Sequence, residues 1–93
     1  MPYSLARLKI SDYAKFKPTF DQVSVVRKAH GSKGATLFRD ADSPNEVTVL
    51  IEWDSLDNAR KFYKSDEVKK ALKESANIKI DVYFLNEIER VQA

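Results

Sequence analysis

The chain has 93 residues, of which 43% are hydrophobic and 11% aromatic, a composition typical of one folded domain rather than of a disordered chain. Sixteen basic residues against fourteen acidic ones leave a net charge of +2, which is too small to indicate the clustered basic surface of a nucleic-acid-binding protein. The sequence has no cysteine, which excludes disulfides, thiol nucleophiles and thiolate metal sites.

No stretch of the sequence has the pattern of a targeting or membrane segment. The beginning of the chain lacks the apolar core of a signal peptide, and no run approaches the roughly 20 apolar residues of a membrane span. We therefore expect a cytoplasmic protein with one domain over residues 1–93 and no membrane partner.

The first third of the chain predicts a strand and then a helix. Residues 3–10 alternate in the manner of a strand with one buried face. Ser11 or Asp12 can cap the helix that follows, and its apolar residues recur at intervals of three and four: Tyr13, Phe16, Phe20 and Val23. Pro18 either kinks this helix or begins its main segment, and Gly31 is suited to end it.

The rest of the chain predicts two strands, a second helix and a last strand. Residues 35–40 and a strand from residue 47 flank a turn-rich segment, which favours an antiparallel hairpin. Asp54 or Ser55 can cap the second helix, which we expect to be interrupted at Ser65 and to end at Asn77. Residues 78–88 form the last strand, whose extension is placed to cross onto a partner chain at residues 89–90.

The element order βαββαβ predicts an α+β, ferredoxin-like antiparallel sheet with two helices on one face. Residues 47–53 are apolar on both faces of their strand, with Leu50 on the face opposite Trp53. Tyr83 and Leu85 extend the apolar character of that second face. Because an exposed patch of this kind marks an interface, we predict a homodimer in which two sheets pack into a dimeric α/β barrel.

Several segments together resemble the dimeric α+β barrel superfamily, and within it the small antibiotic biosynthesis monooxygenases. The similarity lies in residues 34–40, in the turn through Asp42, Pro44 and Asn45, in residues 49–54, in Ala59, Phe62 and Ser65, and in residues 83–85. It extends over most of the chain, from about residue 3 to residue 91.

The resemblance implies a homodimer with a pocket between the sheet and the helices of each protomer. In the enzymatic members of the family, an aromatic and often phenolic substrate reacts there with oxygen, without a metal or flavin cofactor. The haem-degrading relatives use an Asn on the first strand and a His on the second helix. Residues 3–10 contain no Asn and residues 57–75 contain no His, which argues against haem degradation.

His30 is the candidate catalytic residue, because it is the one histidine of the chain and its ordinary pKa lies near neutrality. As a general base it would remove a phenol or enol proton and leave an electron-rich anion that can react with oxygen. The alternative is an exposed histidine at a helix end, next to Gly31 and favourably placed in the helix dipole.

Six further residues are candidates for substrate binding: Tyr13, Arg27, Arg39, Trp53, Tyr63 and Asn86. The two arginines can stabilise an oxyanion, or they can form surface ion pairs. Trp53 can stack on an aromatic ligand or anchor the core or an interface. The two tyrosines belong to apolar stripes but carry hydroxyls that need partners, and Asn86 can hold a ligand carbonyl or pair across a dimer.

Other chemistries do not fit the sequence. One histidine without cysteine cannot form a usual zinc site, so we expect no metal. Two glycines form no phosphate-binding loop, and the aromatic sheet motif of an RNA-recognition module is missing. The prediction is a cofactor-independent monooxygenase for a small aromatic or polyketide-like molecule, and the alternative is a non-catalytic protein of the same fold that binds a small ligand or another protein.

Overall fold

A computed structural model describes residues 1–74 and 77–93 of the chain, with the backbone alone at residues 77 and 78. The elements in chain order are β1 (Pro2–Ile10), α1 (Tyr13–Gln22), α2 (Ser24–Ala29), β2 (Ser32–Arg39), β3 (Glu46–Trp53), α3 (Leu56–Lys64), α4 (Asp66–Glu74) and β4 (Asn77–Asn86). The strands form one antiparallel sheet in the order β2-β3-β1-β4. The predicted ferredoxin-like fold class is confirmed.

The core lies between the helices and one face of the sheet. Val47, Val49, Ile51 and Trp53 point to this face from β3, and none of the four is more than 5% exposed. Alternate residues of β1 point the same way and pack against the buried side chains of α1, α3 and α4. The central strands β1 and β3 therefore supply most of the sheet's share of the core, as expected for strands with a neighbour on each side.

The opposite face of the sheet has no cover among residues 1–74 and 77–93. Leu5 of β1 pairs with Leu50 of β3 and with Tyr83 of β4, so three large side chains lie side by side on this face. Tyr83 and Leu85 are 51% and 40% exposed, and Phe38 of β2 is 51% exposed. The apolar character of both faces of β3, predicted from the sequence, is present in the fold.

Each of the two predicted helices is divided into two segments. Asp12 caps α1, accepting a hydrogen bond of 2.9 Å from the backbone N–H of Ala14. Pro18 lies inside α1, and the division between α1 and α2 comes instead at Val23. In the second pair, the predicted interruption at Ser65 is confirmed, because this hydroxyl donates to the carbonyl of Phe62 at the end of α3 over 2.7 Å.

The strand ends differ from the sequence predictions. β2 begins at Ser32, three residues early, and Asn77 begins β4 rather than ending a helix. β4 ends at Asn86, two residues before the predicted end, because it is an edge strand whose one neighbour, β1, begins at Pro2 opposite Asn86. Beyond that pair β4 has no strand of the described residues to bond with. The predicted crossing of residues 89–90 onto a partner chain stays a prediction. The side chain of Ile78, the first residue of the predicted strand, lies outside the described side chains.

The residues that follow β4 are held against the start of the chain. The N–H of Glu87 donates to the carbonyl of Met1 over 3.1 Å. The carboxylate of Glu87 accepts hydrogen bonds from Tyr3 at 3.2 Å and Arg90 at 3.1 Å. No helix within the described ranges is long and apolar enough to cross a membrane.

Gly31 ends α2 in the conformation that the sequence predicts. Its φ is 96°, and its N–H donates to the carbonyl of Lys28 over 3.1 Å. Its carbonyl accepts a hydrogen bond of 3.1 Å from the backbone N–H of Asp54, which joins the end of α2 to the end of β3. A Cβ at this position would collide with the carboxylate of Asp54.

We expect Gly31→Ala to lower the free energy of unfolding by about 1–3 kcal/mol, because alanine is strained at this φ and its methyl group meets Asp54. Urea denaturation measures the change. The double variant Gly31→Ala/Asp54→Ala removes the collision and should lose less stability than the sum of the two single variants. Additive losses would show that the collision contributes nothing.

Candidate functional site

A cavity of about 60 Å³ lies between the sheet and the helices. Apolar side chains of β1, β3, α1, α3 and α4 form most of its wall, among them Phe16, Phe20 and Phe62. Thr19, Arg27 and Tyr63 are the lining residues with polar side chains within the described part of the chain. The volume is below the roughly 300 Å³ of an ordinary small-molecule pocket, so the helices must shift to admit a ligand larger than one ring.

Arg27 places a buried cation at this cavity. It lies on α2, seven residues after Phe20, and its residue is only 9% exposed. Its Nη1 donates to the carbonyl of Phe20 over 2.8 Å, and the guanidinium lies 4.0 Å from the centre of the Phe20 ring. A cation over the face of an aromatic ring is attracted by the ring quadrupole, so Phe20 holds the side chain in place through two contacts.

The charge of Arg27 has no ion-pair partner among residues 1–74 and 77–93. Burial lowers the pKa of Arg27, and the negative charge of Asp21 and the phenol of Tyr63 partly oppose this effect. A guanidinium has five N–H donors, of which one is used by Phe20. The remaining donors can bind an anionic oxygen, and a lower local dielectric strengthens that interaction.

Tyr63 of α3 belongs to a chain of three polar groups that joins the cavity to the core. Its hydroxyl lies 3.0 Å from Oγ of Ser4 on β1. Oγ of Ser4 also accepts a hydrogen bond of 2.9 Å from the indole N–H of Trp53 on β3. Ser4 and Trp53 are both fully buried. Burial raises the pKa of Tyr63, and the hydrogen bond with Ser4 and the charge of Arg27 act in the opposite direction.

His30 lies behind the wall of the cavity rather than in it. Its ring is 5.9 Å from that of Phe62 in an edge-on arrangement, and Phe62 lines the cavity. Its Nδ1 is 2.9 Å from the carbonyl oxygen of Val26. Because a carbonyl can only accept a hydrogen bond, Nδ1 carries the proton and Nε2 is the nitrogen left for proton transfer. The role of His30 as a base stays a prediction.

The structure brings two of the other predicted binding residues, Arg27 and Tyr63, to the cavity and places four elsewhere. Trp53 is fully buried, so its predicted alternative as a core anchor describes its position. The guanidinium of Arg39 lies 4.2 Å from the ring centre of Tyr13, and these two residues lie outside the cavity wall. Asn86 is exposed at the last position of β4, opposite Pro2.

Ser4 is the site residue that the sequence interpretation missed. A signal for it exists, because Ser4 is the polar position on the strand face that otherwise carries Ala6, Leu8 and Ile10. A serine in such a register needs hydrogen-bond partners in the core. Those partners come from β3 and α3, which no local pattern around residue 4 identifies.

A comparison of the sequence with models of protein families assigns the chain to a family. The family model described as antibiotic biosynthesis monooxygenase matches residues 12–74. The chain belongs to the antibiotic biosynthesis monooxygenase family. A search of curated proteins found no significant match.

Solved structures share the fold at low sequence identity. SnoaB from Streptomyces nogalater, described as a cofactor-independent oxygenase, is 15% identical with a TM-score of 0.83, over 99% of this chain and 97% of SnoaB. A candidate family member from Bordetella bronchiseptica is 19% identical with a TM-score of 0.80, over 95% and 97% of the two chains. Another from Caulobacter crescentus is 21% identical with a TM-score of 0.78, over 95% and 90%.

The raised pKa of Tyr63 predicts a loss of stability at alkaline pH. The folded state favours the neutral phenol, so this contribution to stability is complete below the ordinary pKa of 10.0 and is lost as the pH rises from there through the pKa of the folded state. We expect Tyr63→Phe to weaken the alkaline fall in the free energy of unfolding, measured by urea denaturation at several pH values. Tyr13→Phe removes a hydroxyl outside the cavity and should leave the alkaline fall in the free energy of unfolding as it is in the wild type. An equal fall in the wild type and in both variants would contradict the prediction.

Proposed function

We propose that the protein is a cofactor-independent monooxygenase that oxidises a small aromatic substrate of the phenol or anthrone type in the cavity between sheet and helices. The observation that carries the proposal is the position of Arg27, a buried cation without an ion-pair partner among the described residues, at a largely apolar cavity. Such a site favours the anion of an aromatic ring system over its neutral form.

The anion is the species that reacts with oxygen. The substrate loses a C–H or O–H proton, and its electron-rich carbanion forms a C–O bond with O₂. A proton then completes a hydroperoxide, and loss of water leaves a carbonyl where a CH₂ group was. One O₂ is consumed and one water is released, with all four electrons supplied by the substrate. In this scheme Arg27 lowers the barrier by stabilising the negative charge at the first step.

Membership of the family and the similarity to SnoaB support this proposal at the level of the reaction class. The chemistry of the wall agrees with an aromatic substrate, since Phe16, Phe20 and Phe62 surround the cavity. No His, Asp or Glu is among the described residues that line it. We therefore propose that the proton passes to solvent, and that His30 contributes to catalysis only if Phe62 moves.

We also propose that the functional unit is a homodimer. The uncovered face of the sheet, with Leu50, Tyr83 and Leu85, supports two sheets packed face to face. The dimer leaves the cavities apart from each other, because each lies on the helical side of its own sheet.

A non-catalytic protein that binds a small aromatic anion is the second candidate. The absence of a carboxylate or imidazole from the described wall of the cavity favours it, since a general base contributes typically 10²–10⁴-fold to a rate. Such a protein would bind the anion through Arg27 and release it unchanged.

Arg27→Met tests the proposed reaction, because methionine keeps an unbranched side chain and removes the charge. With anthrone as substrate, we expect kcat/KM to fall about 100-fold, measured as oxygen uptake and formation of the quinone product. The matched control is Arg60→Met, which removes an exposed guanidinium 5.3 Å from the ring of Phe84, outside the cavity wall. Equal effects of the two substitutions would contradict the assignment of Arg27.

His30→Ala decides between solvent and His30 as the proton acceptor. Retained turnover with an unchanged pH profile is the result expected from the position of His30 behind Phe62. Loss of turnover together with loss of a pH-dependent limb near neutrality would restore His30 as the general base. Binding of anthrone by the wild type without oxygen uptake would support the second candidate.

The proposed dimer predicts that a charge on the uncovered sheet face lowers the mass in solution. We expect Leu50→Lys to convert the protein from dimer to monomer in sedimentation at micromolar concentration, because a buried unpaired ammonium opposes sheet-to-sheet packing. Val25→Lys is the control, since Val25 is 74% exposed on α2, on the other side of the sheet. A monomeric wild type would disprove the dimer.

A further inference from the structure

The three polar groups of Trp53, Ser4 and Tyr63 can be assigned a direction of proton donation. The indole nitrogen can only donate, so Ser4 Oγ accepts from Trp53 at 2.9 Å. The 3.0 Å contact between Ser4 and Tyr63 joins two hydroxyls, either of which can donate. The serine hydroxyl has one proton, and its direction decides what Tyr63 can do.

The two directions differ in which hydroxyl proton is left without an acceptor among the described residues. If Tyr63 donated to Ser4, the proton of the fully buried Ser4 would need another acceptor, and Ser4 makes no further hydrogen bond within the described residues. A buried donor without an acceptor loses its hydrogen bond to water and gains none in exchange, which destabilises the folded state. When Ser4 donates instead, both its proton and its accepting lone pair are used. Oη of Tyr63 then accepts, and its own proton is left to donate elsewhere.

Tyr63 is one of the residues that line the cavity, whereas Ser4 and Trp53 are not. Its ring is fixed by edge-on contacts with Phe62 at 5.0 Å and Phe84 at 5.8 Å. The phenol is close enough to Arg27 for each to affect the pKa of the other. Two residues with donor groups, one cationic and one neutral, therefore border the same small volume from different helices.

We propose that Ser4 and Trp53 are positioning residues, which orient the hydroxyl of Tyr63 so that it donates a hydrogen bond to an oxygen atom of the ligand. This deepens the proposed function and rests on it, since it requires a ligand with an anionic or carbonyl oxygen. The ligand class is then an aromatic molecule whose oxygen accepts from Tyr63 while Arg27 neutralises its charge. Trp53 acts through Ser4 and does not touch the ligand.

The burial of Ser4 supports a role beyond packing. The same face of β1 carries Ala6, Leu8 and Ile10, so an apolar residue would fit the register of position 4. A chain of hydrogen bonds polarises its members, so the donation from Trp53 to Ser4 strengthens the donation from Ser4 to Tyr63. A phenol that accepts a hydrogen bond at its oxygen is in turn a better donor through its own proton.

A double-mutant cycle with para-nitrophenol tests the orientation. The anion of this probe absorbs visible light, so its affinity is measured directly by absorbance on the purified full-length protein. We expect Tyr63→Phe to lower the affinity for the anion about tenfold and Ser4→Ala to lower it about fivefold. Because Ser4 acts through Tyr63, adding Ser4→Ala to Tyr63→Phe should cause no further loss.

Two outcomes of the cycle would overturn the proposal. An equal effect of Ser4→Ala with and without the Tyr63 hydroxyl would mean that Ser4 acts only by filling space. No measurable binding of the anion by the wild type would mean that the two donors do not form an oxygen site. Neither outcome depends on turnover. A failure to oxidise anthrone therefore leaves the orientation of Tyr63 standing, and a failure of the double-mutant cycle leaves the oxidation of anthrone standing.

The wild-type protein supplies a second measurement that needs no Ser4 variant. Trp53 is the single tryptophan of the chain, so its indole N–H gives one NMR signal that needs no assignment. Saturation with the para-nitrophenol anion should move this signal downfield in the wild type and leave it in place in Tyr63→Phe. The matched probe para-nitrotoluene, with a methyl group for the hydroxyl, should have no such effect. An unmoved signal in the saturated wild type would contradict the proposal.

Discussion

The apolar character of both faces of strand β3 is the constraint on which the rest of the structure depends. One face of β3 is sealed by the helices, and the described residues include no further elements with which to cover Leu50 and its neighbours on the other face. Uncovered apolar area of this kind disfavours an isolated sheet, because burial of such area is the main favourable term in folding and association. In the proposed function, the sheet separates two tasks, with ligand contact on one side and self-association on the other.

The helical side carries a second constraint, which is a polar chain inside an apolar core. Trp53 fills the end of β3, and its indole N–H donates to Ser4 in the core. Ser4 in turn links β1 to α3 through its contact with Tyr63. The first strand thus meets β3 and α3, from the middle of the chain, at one oxygen atom, and the cavity lies beside this meeting point. Packing and site geometry are consequently determined by the same few contacts.

The sequence predicted the elements better than the site. Alternation and helical spacing located every strand and both helical regions, because these patterns depend on neighbours within a few residues. The end of β4 was missed because it depends on where β1 begins, opposite Asn86. In the same way, His30 fits a helical stripe with Arg27, yet it contacts Phe62 of another helix and is not among the described residues that line the cavity. In both cases the outcome depends on residues that are distant in sequence and close in the fold.

The position of β1 in the middle of the sheet has a consequence for how the protein is made. β1 precedes both of its neighbours, β3 and β4, in the chain, so Leu5 must wait for Leu50 and then for Tyr83 during synthesis. Pairings so distant in sequence carry a large loop-closure entropy and slow the folding reaction. The edge of β1 next to β4 stays open until the residues of β4 have been synthesised and have paired with it. Until then, that edge of β1 is exposed to other unpaired strands.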